Sequence, residues 1–210
     1  MKLRLIPLMI LATLPACNRE GGIEQGGIYV RRSACPIAGI PAGTGDVTIF
    51  DPANSVAADA IDVTATITNL RATCQEAGDQ LVSTVTFDVV ATRRDPTAAR
   101  QVVLPYFDIA LQAGANVMAK RVGRVGLDFA PGSYRAQTFG QATIRVHRSV
   151  AQLPADIERQ LTRPRKAGDA SAAVDPMTDP AIRTAVANAT FEHLVGFQLT
   201  EQQLRYNVTR

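Results

Sequence analysis

Between residues 61 and 91 the chain alternates. Ile61, Val63, Ala65 and Ile67 fall on one side of a period-two pattern, with Asp62, Thr64, Thr66 and Thr68 on the other. Beyond Ala77-Gly78-Asp79, the residues Val85, Phe87, Val89 and Ala91 repeat it. Successive side chains of a strand point to opposite faces, whereas the apolar residues of an amphipathic helix recur every three or four positions. The pattern therefore requires half-buried strands. Both runs are rich in β-branched residues, and the Gly-Asp turn between them makes a hairpin the natural pairing. A chain with this hairpin near its centre must fold around a sheet.

The flanking segments extend the same reading. Val47 to Phe50 is a short strand, ended by Asp51-Pro52, after a loop from Pro36 to Gly45. Val102 to Leu111 is a further strand, in which Pro105 is expected to force an edge position or a bulge. Asn116 to Phe129 changes phase between Val122 and Val125, with Gly123 the expected bulge. Pro131-Gly132 turns the chain into a strand ending at Ala142, Ile144 and Val146. Pro154 then opens a helix from Ala155 to Leu161, and a polar Arg, Lys and Gly stretch follows. Asp179-Pro180 supplies an N-cap with Pro at the first helical position, starting a helix through Ala189. Phe191 to Leu199 returns to a strand, with Phe191, His193, Val195, Phe197 and Leu199 on one face. Thr200 and Gln203 form a capping box for a short last helix. Trp is absent, so a core must be built from Val, Ile, Leu, Ala and the seven Phe. The fold expected is mainly β: an immunoglobulin-like β-sandwich of about seven strands, with a helical insertion at 152–190 before the last strand and a short C-terminal helix.

The start of the chain is an address. Lys2 and Arg4 precede an apolar run from Leu5 to Leu14, broken only by Pro7 and Thr13. A basic start and a short apolar stretch describe a secretory signal peptide, too short to span a bilayer. Leu14-Pro15-Ala16-Cys17 resembles the bacterial lipobox. That resemblance implies a diacylglyceryl thioether on Cys17 and cleavage before it. Residues 1–16 are then the signal, 17–33 the lipidated Cys and a flexible tether, and 34–210 a single domain. By the same resemblance Asn18, where Asp would signal retention at the inner membrane, favours the outer membrane. The expected location is the cell envelope, with a periplasm-facing lipid anchor.

Charge follows from that division. The 22 Lys and Arg and 19 Asp and Glu give a basic chain, but Lys2 and Arg4 leave with the signal and no acid does. The mature chain is close to neutral and carries no electrostatic footprint for nucleic acid. Cys35 and Cys74 remain after Cys17. In an oxidising compartment a disulfide between them is the default, with a reactive Cys or two free thiols as alternatives.

Residues that carry chemistry are few. His147 lies among Arg145 and Arg148, and His193 between Glu192 and Leu194; each reads as a surface or half-buried strand residue. No nucleophile-elbow, zinc-protease or phosphate-loop pattern occurs. Gly43-Thr44-Gly45 reads as a turn, and the Asp-Pro pairs at Asp51, Asp95, Asp175 and Asp179 as turns or caps. Catalytic residues, metal ligands and cofactors are therefore not expected. Arg145, Arg148, Arg159, Arg163, Arg165 and Lys166 outnumber Asp156 and Glu158 along 145–166. They form a possible basic surface for anionic headgroups or, more simply, a solvated face.

Cys35-Pro36 with Cys74, the segment Leu104-Pro105-Tyr106-Phe107, and the ending Gly196-Phe197-Gln198-Leu199-Thr200-Glu201-Gln202-Gln203-Leu204-Arg205-Tyr206-Asn207 resemble a group of uncharacterised alphaproteobacterial envelope lipoproteins. The resemblance spans most of the mature chain and implies the lipid anchor and a β domain, with a helical stretch longer than in compact members. It brings no activity. The function expected is that of a non-enzymatic, membrane-tethered accessory or binding module for another envelope component. A carrier of small apolar ligands between the sheets is the alternative, and an enzyme with a scattered site the more distant one.

Overall fold

The computed structural model describes residues 22–24, 27–29, 32–163, 168 and 174–209. The signal segment 1–16, Cys17, Arg165 and Lys166 lie outside them. Ten strands occur among the described residues: β1 (Gly22–Glu24), β2 (Gly27–Tyr29), β3 (Ile37–Gly39), β4 (Asp46–Phe50), β5 (Ile61–Ala77), β6 (Gln80–Arg93), β7 (Arg100–Gln112), β8 (Asn116–Phe129), β9 (Arg135–His147) and β10 (Phe191–Phe197). The helices are α1 (Arg148–Ala151), α2 (Ala155–Thr162), α3 (Pro180–Asn188) and α4 (Glu201–Thr209). β1 and β2 pair only with each other, within the stretch read as a tether.

The other strands form a first sheet, β4-β5-β6-β9, and a second, β3-β10-β7-β8. Together they make the expected β-sandwich. The added strand is β3, inside the stretch read as loop, which pairs parallel to β10. Two hairpins build the frame. β5 and β6 turn at Gly78 (φ +63°), and β7 and β8 at Ala113 and Gly114, both at positive φ. The chain crosses between sheets after β6 and again after β8, so that β9 lies beside β6 in a Greek-key arrangement. The sandwich architecture is shared with immunoglobulin domains, while the strand order differs from their ABED and CFG sheets.

The alternating residues fill the space between the sheets. Val63, Val85, Phe87 and Val89 meet Leu104, Leu127, Phe129, Val195 and Phe197 in one large cluster. Leu81, Ala110, Ile144, Val146, Ala151 and Phe191 form a smaller one. Burying each of the larger side chains stabilises the fold by about 1.5–3 kcal/mol. At the open side, the Phe87 and Tyr106 rings meet edge to face, centroids 5.2 Å apart, and the Tyr106 hydroxyl donates to the Gln141 carbonyl. A Cβ on Gly140 would fall 2.2 Å from the Phe87 ring, and one on Gly123 would fall 2.5 Å from Tyr106.

This geometry corrects two expectations. Gly123 pairs in register with Tyr106, and its lack of a side chain makes room for that ring. The register slips instead between Ala110 and Leu111, where Met118 is the extra residue on β8. Pro105 occupies neither an edge nor a bulge, since β7 lies between β10 and β8. Its carbonyl accepts from the Gln198 N–H, just past the end of β10. Its nitrogen faces the same side and has no hydrogen to return to the Gln198 carbonyl, and the β7–β10 ladder ends there, at Phe197 and Tyr106.

Helix ends follow the sequence closely. The Asp179 carboxylate accepts from the Ala181 N–H, and Pro180 opens α3. At α4, the Thr200 N–H donates to Gln203 Oε1 at 2.9 Å and the Gln203 N–H to Thr200 Oγ1 at 3.2 Å. α4 then covers β4: Tyr206 meets Phe50 edge to face, and Asn207 donates to the carbonyls of Gly43 and Asp46. No helix among the described residues is long and apolar enough to cross a membrane.

Candidate functional site

The most chemistry-bearing cluster lies inside the sandwich. Ser83 occupies an inward position of β6, and His193 an inward position of β10 across from it. Ser83 Oγ and His193 Nδ1 share a hydrogen bond at 3.0 Å. On the other side of the ring, Nε2 faces Asp108 Oδ1 at 3.9 Å, beyond hydrogen-bond reach. Asp108 accepts from Arg121 at 3.0 Å, its cross-strand partner on β8. Ser83 and His193 have no exposed surface and Asp108 very little, while the Arg121 side chain reaches solvent. His193 is thus a fully buried bridge between the sheets, not the surface or half-buried residue expected. The sequence carried a signal for this, because Phe191, His193, Val195 and Phe197 share one face.

Electrostatics define what the cluster can do. Burial, assisted by the Arg121 charge, lowers the His193 pKa to about 4. Burial raises that of Asp108, against the pull of Arg121. The ring is therefore neutral at physiological pH. With its proton on Nε2 it accepts from the Ser83 hydroxyl and turns the N–H toward the carboxylate. The order Ser–His–Asp is that of hydrolytic triads. A nucleophile must nonetheless touch its substrate, and Ser83, flanked along β6 by buried Leu81 and Val85, is enclosed. The arrangement pins the two sheets in register where the two apolar clusters meet.

A second polar cluster closes the opposite end. Arg93, 5% exposed, donates to the carbonyls of Ser133, Ala98, Pro96 and Ala130, and lies 5.0 Å from the centre of the Phe129 ring. Arg100 grips Asp62 through two bonds of 2.9 and 2.7 Å. That contact raises the arginine's pKa further. These side chains tie the β6–β7 and β8–β9 loops to the sandwich. Sequence reading missed Arg93, since a buried cation bound to carbonyls leaves no pattern in the chain.

Cys35 and Cys74 form a disulfide, with Cα atoms 6.0 Å apart. Of the basic stretch, Arg145 is exposed at the end of β9, and Arg148 pairs with Glu76 at 3.2 Å. Arg159 and Arg163 are exposed on and just after α2. His147 caps α1 and contacts Asp79 at 2.9 Å. Asp175 and Asp179 are caps, as expected, and Asp95 accepts from the Thr97 N–H. Among the described residues no three of His, Cys, Asp and Glu gather into a metal-binding group.

The outer faces of the sheets are unlike each other. On the first, Thr64 bonds Thr92 and Thr84 bonds Thr143, side chain to side chain. A shallow groove of about 470 Å³ runs over this polar field, lined by Thr66, Val90, Arg135 and Gln137 among others. On the second, Val103, Val117 and Val122 are each more than half exposed, with Phe107, Ile109 and Leu194 between them. Compared with protein-family models, with curated proteins and with solved structures, the chain matches none. The fold and the disulfide define the class: a disulfide-bonded β-sandwich with Ser83, His193 and Asp108 facing inward and a second such group, Ser149, His147 and Asp79, at its surface.

Proposed function

We propose that the chain is an envelope lipoprotein, held at a membrane by lipid on Cys17, and that its sandwich is a non-enzymatic accessory or binding module for another envelope component. One observation carries this reading. Ser83, His193 and Asp108 are enclosed and face one another, whereas the larger share of free apolar area on the sheets lies on the outside of the second, at Ile37, Val103, Val117 and Val122. Exposed apolar patches of that kind are a mark of interaction surfaces. The Cys35–Cys74 bridge supports an oxidising compartment. The interior gives no support to an apolar-ligand carrier, because Val85, Val89, Leu127 and Val195 occupy the space between the sheets with no exposed surface.

The test has two arms. The mass of the purified wild-type protein should include acyl chains that Cys17→Ser loses, and affinity capture from detergent-solubilised envelope should recover a defined partner. A wild-type mass without acyl chains removes the anchor. Ester or amide hydrolysis that Ser83→Ala abolishes would replace the module with an enzyme.

A further inference from the structure

We infer that the outer face of the second sheet rests on an anionic membrane surface, with its β8 side pressed toward the lipid headgroups. The inference builds on the lipid-anchor reading of Cys17 and takes the envelope component met by this face to be the lipid headgroups, which fixes the orientation of the anchored domain. Three observations carry it.

The first is the apolar area itself. In an antiparallel sheet with one face packed on a core, the other face is normally polar. Here Ile37, Val103, Val117 and Val122 are 63%, 51%, 59% and 53% exposed on that outer face.

The second is charge. Along β8, Lys120, Arg121 and Arg124 stand against one acid, Asp128 near its end, and Glu192 is the acid on the outer side of β10. Arg121 turns inward to Asp108, which leaves Lys120 and Arg124 on the outer face among the valines. The Lys120 ammonium stands 5.5 Å from the centre of the Phe107 ring, so its stem lies along apolar surface. Valines that enter the headgroup boundary and cations that meet lipid phosphates are the two components of interfacial binding.

The third is where the chain enters. Arg32 donates to Thr190, the residue before β10. The start of β10 pairs with the end of β7, whose hairpin leads directly to Asn116 and Val117. The tether therefore joins the sandwich at the end of the second sheet where the exposed face begins. Because β1 folds back on β2, Gly22 and Tyr29 are partners. About eight residues then span the distance from Cys17 to Arg32, a reach of at most about 30 Å.

A second copy of the chain is the poorer occupant. A twofold contact through this face gathers four cations, Lys120 and Arg124 of each copy, into one apolar interface, where charged residues are depleted.

The unlipidated Cys17→Ser protein, mixed with phosphatidylethanolamine–phosphatidylglycerol vesicles at low salt, tests the face without the anchor. It should sediment with these vesicles and not with phosphatidylcholine. The Lys120→Glu/Arg124→Glu double variant should bind at least about 30-fold more weakly, at about 1 kcal/mol per cation removed. Its thermal midpoint should stay at the wild-type value, which separates lost binding from lost fold. For the lipidated protein, a fluorophore at Val122→Cys should be quenched by brominated acyl chains, and one at Phe139→Cys on the opposite face should not. Equal quenching at both sites, no sedimentation, or sedimentation that the double variant retains overturns the inference. Cross-linking from site 122 to an envelope protein in place of a vesicle response overturns it in favour of a protein partner. The acyl mass of the wild type decides the anchor separately.

Discussion

The two sheets bury similar inner faces and present opposite outer ones. β5 and β6 alternate cleanly, so that Thr64, Thr66, Thr84 and Thr92 line the outside of the first sheet, interrupted by Val90 and Phe139. β7 does not alternate. Val102 to Leu111 is apolar on both sides apart from Asp108, and Asp108 points inward, into the core, to meet Arg121. Strands that read as continuous apolar runs belong to sheets covered on both faces. The difference teaches that the second sheet is built to be covered twice, once by the first sheet and once from outside. The fold itself supplies the first cover and only part of the second, where Thr44 lies over Gly196 beside the buried Phe107.

Substitution on the two sides of the second sheet is the sharpest way to break this comparison. Phe197→Ala on the inner face should cost about 3–5 kcal/mol, the range for a buried Phe, read as a loss of thermal or denaturant stability. A change below about 1 kcal/mol would mean that β10 does not serve as a core strand.

The next effect belongs to the His193 bridge, which marks the inner side of the same sheet. Its pKa is about 4 in the folded chain against an ordinary 6.5. Between those values the unfolded chain binds the proton and the folded one does not, so stability is full above pH 6.5 and falls as pH drops toward 4. The loss should approach about 3 kcal/mol across the window. The raised Asp108 carboxyl contributes with the opposite sign near the acid end. Urea midpoints between pH 7 and pH 5 should decline for the wild type and flatten for His193→Leu. A wild-type curve as flat as the variant's would mean that water reaches the ring.

The smallest effect is expected outside. Val117→Thr and Val122→Thr should move stability by less than about 0.5 kcal/mol, as surface substitutions do. If either costs as much as a core residue, the outer face is already covered by the chain itself, and the contrast between the two faces disappears.

Much of this architecture was legible in the chain because its signals are local. The period-two runs in β5 and β6 specify which side of a strand is buried. The Asp179 cap and the Thr200–Gln203 box satisfy helix-end donors within a few residues. The facing of β10 could be read from Phe191, Val195 and Phe197. Three other features could not. Gly123 breaks the pattern of β8 in the way a bulge would, and only the Tyr106 ring lying over it explains the glycine. Pro105 argues for an edge until the end of β10 is seen to stop beside its nitrogen. Arg93 carries no pattern at all, since its partners are carbonyls from two loops.

The sequence alone determined that this chain is a sheet protein with alternating strands and with helix ends written into the residues beside them. Each of those depends on neighbours in the chain. The tertiary structure decided which strands share a sheet, that His193 meets Ser83 across 110 positions of sequence, that Cys35 pairs with Cys74, and that one outer face is richer in exposed valine while the other is mostly threonine. Those properties belong to pairs of distant segments. They follow from strand order and register, which bring side chains together by the closing of loops and leave no trace in the spacing along any one strand.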